Sequence, residues 1–76
     1  MAYTAIVIKD NHFLSSFTFD APHDRPAAYA RAQDMWSHGD PPRGVNLLEW
    51  GDPFARVVAI VPGHHEGWSP FFQAID

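Results

Sequence analysis

Cysteine is absent from the 76 residues. That rules out disulfide staples and thiolate chemistry, and it fits a reducing cytoplasm. Lysine is nearly absent: Lys9 stands alone, and Arg25, Arg31, Arg43 and Arg56 complete the fixed cations. Against nine acidic residues they leave a formal charge of −4. Direct nucleic-acid binding needs a concentrated basic surface, so this balance argues against it and suits a basic protein partner better. No apolar run approaches the ~20 residues of a membrane span, and no signal-peptide pattern opens the chain. The expectation is a cytoplasmic protein with no membrane partner, a single domain over residues 1–76. There is no internal repeat and no low-complexity linker.

Aromatics are what the chain has in quantity: six Phe, three Trp and two Tyr. Small chains bury a modest share of their surface, so large side chains must supply the core. One stretch, Asp24 to Gly39, has the length and period of a helix. Asp24 is a good N-cap whose carboxylate can accept from the first turn, and Pro26 falls where a missing N–H costs nothing. Ala27, Ala28, Ala30 and Ala32 are strong helix formers. Ala28, Tyr29, Ala32, Met35 and Trp36 form one apolar stripe. Gly39 is placed for a left-handed stop, and Pro41-Pro42 bars a restart.

The flanks read as strands. Tyr3 to Lys9 is rich in β-branched residues, and Asp10-Asn11 or Asn11-His12 makes a tight turn. Phe13 to Asp20 alternates, with Phe13, Phe17 and Phe19 on one face towards the helix. Val45 to Trp50 and Phe54 to Val61 read as two further strands around a Gly51-Asp52-Pro53 turn, and Glu66 to Phe72 as a short edge strand limited by Pro70. The expected fold is a two-layer α+β domain: a four- to five-stranded antiparallel sheet, ββαββ, order 2-1-3-4, with one helix on one face.

Charges assign the faces. If Lys9, Glu49 and Arg56 point away from the helix, then Ile6, Ile8, Leu48, Trp50, Val57, Ala59 and Val61 point towards it. The open face then carries Tyr3, Val7, Leu14, Leu47, Val58 and Ile60. That is more apolar surface than a solvated face needs, and such patches mark interfaces. The alternatives are that Trp68 to Phe72 folds back over it or that homodimer contacts cover it.

Chemistry has little to work with. His64-His65-Glu66 is the most metal-like stretch, but neighbours in extended chain point oppositely, and His12, His23 and His38 are scattered. The serines lie in no nucleophile elbow, the carboxylates have no paired spacing, and no Gly-rich phosphate loop is present. No catalysis, no metal and no cofactor are expected. Asp20, Asp24, Asp34, Glu49, Asp52 and Glu66 fall at positions expected to be exposed. Ordinary solubility accounts for them, and so does a basic partner. Trp36 and Trp50 read as core, whereas Trp68 after Gly67 suits an exposed anchor.

The opening YTAIVIKD, the helix after FTFDAPHD, and VNLLEWGDPFARVVAIV with its short tail together give a layout that resembles small phage-encoded anti-CRISPR proteins acting on type I systems. The resemblance is one of element order over most of the chain. It implies a stoichiometric inhibitor bound to subunits of the surveillance complex, on basic surfaces meant for DNA. Some members grip their target with lysines; this chain has one, so its acids would oppose the complex's basic residues. The expected partner-binding residues are then Asp20, Asp24, Asp34, Glu49 and Asp52 for encounter, with Tyr3, Leu47 and Trp68 for contact, on a monomer or weak homodimer. Two other readings stay open: an antitoxin or immunity-type inhibitor of a toxin or effector, and a small metal-binding domain.

Overall fold

A computed structural model of the chain describes residues 1–65. Strands β1 (Ala2–Lys9) and β2 (His12–Asp20) form a hairpin. Its turn is Asp10-Asn11, both at positive φ (54° and 65°), a conformation that Asp and Asn tolerate better than other non-glycine residues. Helix α1 (Arg25–His38) follows, and β3 (Arg56–Pro62) returns antiparallel to the other side of β1. Among the described residues the fold is α+β, with a three-stranded antiparallel sheet ordered β2-β1-β3 and one helix packed on it.

The sheet therefore differs from the expected four or five strands in the order 2-1-3-4. Val45 to Trp50 is a run of turns. The Asn46 carbonyl accepts from the N–H groups of Glu49 (3.0 Å) and Trp50 (3.1 Å), and its Oδ1 accepts from Leu48 N–H at 2.9 Å. A local Asx side chain thus takes the donors that a strand ladder would use. Asp52 repeats the device: its Oδ1 accepts from Phe54 N–H at 2.8 Å, and its carbonyl from Ala55 N–H at 3.1 Å. The expected strand over Glu66 to Phe72 lies outside the described residues.

Helix α1 falls where its alanines and Pro26 put it, but both ends differ in detail. Asp24 makes no side-chain cap bond, and Gly39 is extended (φ −88°), its N–H bonded to the Met35 carbonyl at 2.9 Å. Glycine suits that close approach, because a Cβ there would come within 3.0 Å of the Met35 carbonyl oxygen.

The faces of β1 are the reverse of the charge-based assignment. Tyr3, Ala5 and Val7 join Phe17, Phe19, Ala28, Ala32, Trp36, Val57 and Ile60 in one buried cluster. Ile6 is buried too, but it shares the opposite face with Thr4 and Ile8. Lys9 misled because it ends its strand. It lies on the same face as Val7, yet it reaches over the rim to Asp52 at 2.7 Å. A charge marks the solvent face only where the strand has no end to escape from.

Two irregularities complete the reversal. The β1–β2 register slips between Val7 and Ile8, so Phe13 sits opposite Ile8 on the face away from α1, and Leu14 packs against the core. The β1–β3 register slips between Ile6 and Val7, with Val58 as the extra residue. Val57 and Ile60 then both face the core, while Ala59 and Val61 lie opposite Ile6 and Thr4 on the other face. Beyond β3, residues 63–65 pass over the sheet face away from α1. The Thr4 hydroxyl, fully buried, donates to the Gly63 carbonyl at 2.7 Å and accepts from His65 N–H at 2.9 Å.

Candidate functional site

Tyr3 was expected on an open apolar face; it is in the core. Only 2% of it is exposed, its ring stacks on Phe19 at 5.7 Å, and its hydroxyl reaches the Pro22 carbonyl at 3.4 Å. It presents nothing to a partner. Trp68 lies outside the described residues. Leu47 is 70% exposed, though on the turn segment rather than on a sheet face.

The acids are spread out. Asp20 sits at the end of β2 opposite Ala2, whereas Asp52 sits beside Lys9 at the other end of β1. Seven residues at about 3.3 Å each put those ends roughly 23 Å apart. Asp24 and Asp34 are ten helical positions apart, ~15 Å along the axis. Asp20 has His64 Nε2 at 3.5 Å, and Asp34 has His38 Nδ1 at 3.3 Å. Asp52 is engaged by Lys9, so it is not a free anion. Its bond to Lys9, with that of Phe54 N–H, holds its carboxyl below the usual range, and the same bond holds the lysine above its own. The expected acids do not form one patch.

Beside Leu47, the 45–54 loop holds two exposed apolar side chains that the sequence reading missed. Leu48 is 95% exposed and Phe54 78%, alongside Leu47. Leu48 had been expected to face the helix. The signal was available in Asn46 and Asp52, since each is an Asx residue two positions before an exposed apolar one. The loop that carries them is held firmly. Trp50 packs edge-on against Phe17 (5.0 Å) and Trp36 (4.8 Å), and its Nε1–H donates to the Gly39 carbonyl at 3.0 Å. Trp36 Nε1–H donates to the Asp52 carbonyl at 3.1 Å. The two indoles tie the loop to the C-terminal end of α1. Gly51, at φ +81°, makes the bend between them with a backbone that a side chain would strain.

His64 and His65 diverge. His64 Nε2 lies 3.3 Å from the Phe19 carbonyl oxygen, and His65 Nε2 lies 2.8 Å from that of Pro62. Among the described residues no three His, Cys, Asp or Glu side chains are grouped to hold a metal ion, and no helix is long and apolar enough to cross a membrane. Comparison with family models, with curated proteins and with solved structures finds no match to this chain.

Proposed function

We propose that the protein is a non-enzymatic inhibitor that occludes a basic, nucleic-acid-binding surface of a larger complex, with the 45–54 loop as its contact. The observation that carries this reading is the exposure of Leu47, Leu48 and Phe54 on a loop whose backbone is locked. Large apolar side chains held in water cost free energy that a partner recovers. A pre-formed loop also loses little further entropy on binding. Glu49, on the same loop, and the net charge of −4 favour encounter with a basic surface. The layout resemblance supplies the sharpest version, a type I CRISPR surveillance complex as the target. A toxin or effector bound by an antitoxin is the other version.

Affinity capture from a host lysate, with partners identified by mass spectrometry, tests the reading. Surveillance subunits are the expected catch, and a single toxin in their place would support the antitoxin version. The variant Leu47→Ser/Leu48→Ser/Phe54→Ser should keep its melting temperature and lose the partner. Equal capture by that variant would refute the loop as the contact.

A further inference from the structure

Among the described residues strand β3 is an edge, and its sequence is unusually sticky. Val57 to Val61 is five consecutive apolar residues, mostly β-branched, with no charge among them. Such a segment on an open edge is a template for pairing with another chain. The ladder shows which of its backbone groups face outward. The Ala2 carbonyl accepts from Gly63 N–H, so the even residues of β1 turn their backbone groups towards β3. Val61 and Ala59, opposite Thr4 and Ile6, face inward, and Ile60 faces outward. The extra residue at Val58 then turns Val57 outward as well.

Three of these outward groups are met by the helix. Tyr29 Oη donates to the Val57 carbonyl at 2.7 Å, and Gln33 Oε1 accepts from Val57 N–H at 3.3 Å. Arg25 Nη2 donates to the Ile60 carbonyl at 2.9 Å. Pro62, the next outward residue, has no N–H to offer. Arg25, Tyr29 and Gln33 are spaced four apart and so share one side of α1. We infer that these three side chains stand in for a missing neighbour strand and keep β3 from pairing with the β3 edge of a second copy of this chain. None of them is needed to fill the core, which α1 enters through Ala28, Ala32 and Trp36. Their shared feature is the edge they close.

The test is self-association measured by analytical ultracentrifugation over a concentration series, with amide exchange at Val57 and Ile60. Tyr29→Phe removes one donor and leaves the ring; it should strengthen self-association by about tenfold, one hydrogen bond's worth. Arg25→Ala/Tyr29→Phe/Gln33→Ala should strengthen it further, with Val57 and Ile60 amides gaining protection as concentration rises. Adding Ala59→Lys, at an exposed position on β3, should reverse the effect, because a lysine on an edge strand repels its symmetry mate. Tyr29→Phe and a folded triple variant that associate no more than the wild type would overturn the inference. So would association that Ala59→Lys leaves unchanged. If the triple variant does not fold, Tyr29→Phe with and without Ala59→Lys decides the matter alone.

Discussion

Phe17 and Phe54 are the same residue type in opposite environments, and that contrast gives the most direct test of the core. Phe17 is 3% exposed and Phe54 is 78% exposed. Phe17 sits beneath both indoles, stacked with Trp36 at 6.3 Å and edge-on to Trp50 at 5.0 Å, and its ring is 5.8 Å from Phe19. A buried Phe removes about 150–250 Å² from water. At ~25 cal/mol per Å² that is about 4–6 kcal/mol as an upper bound. Phe→Ala in cores costs about 3–5 kcal/mol. The aromatic pairs add about 0.5–1.5 kcal/mol each, part of it already counted in the area. We therefore expect about 4 kcal/mol for Phe17→Ala. A domain of this length has a total stability of about 4–11 kcal/mol, so the variant should be close to unfolding. Its melting temperature should fall by ~16 °C or more. Phe54→Ala should stay within about 0.5 kcal/mol of the wild type. Urea and thermal denaturation followed by circular dichroism measure both. A Phe17→Ala melt within a few degrees of the wild type, or a Phe54→Ala loss as large as that of Phe17→Ala, would refute the placement of the core.

Thr4→Val keeps the side-chain shape but leaves the Gly63 carbonyl and His65 N–H without their hydroxyl partner. It should cost about 1–3 kcal/mol in a chemical melt and speed amide exchange at His65; an unchanged melt would mean the pin holds nothing. The Lys9–Asp52 pair makes a signed pH prediction. The depressed carboxyl of Asp52 contributes stability that is full above the ordinary carboxylate range and is lost as pH falls through its folded value. The raised Lys9 contributes stability that is full below the ordinary lysine range and is lost as pH rises through its folded value. The melting difference between wild type and Asp52→Asn should therefore be flat near neutrality and close below about pH 4, and that between wild type and Lys9→Met should close above about pH 10. A difference that grows at either extreme would contradict the pairing.

The helix was legible in the sequence because its signals are local: the alanine-rich stripe, Pro26 in the first turn and the Gly39-Asp40-Pro41 stop act within one or two turns of where they stand. The β1–β2 hairpin was legible for the same reason, since Asp10-Asn11 accepts positive φ without help from elsewhere. Phe17 and Phe19 of β2 do face the helix as their alternation suggested, but the faces of β1 were not legible. Alternation tells which residues share a side but not which side is covered, and two register slips, at Leu14 and Val58, change the parity midway. Lys9 could be placed on the core-side face only because Asp52, 43 positions later, arrives to meet it. Val45 to Trp50 has a strand's composition, but Asn46 and the anchoring of Trp50 on Phe17, Trp36 and Gly39 make it a loop and expose Leu47 and Leu48. By itself the sequence determined the helix at Arg25–His38, the leading hairpin, the aromatic character of the core and a net charge of −4. Tertiary structure decided which aromatics form that core, which acids are already paired, and where apolar side chains meet water. Those outcomes depend on contacts between residues far apart in the chain, and a strand's face or a loop's exposure is decided only when its neighbours are in place.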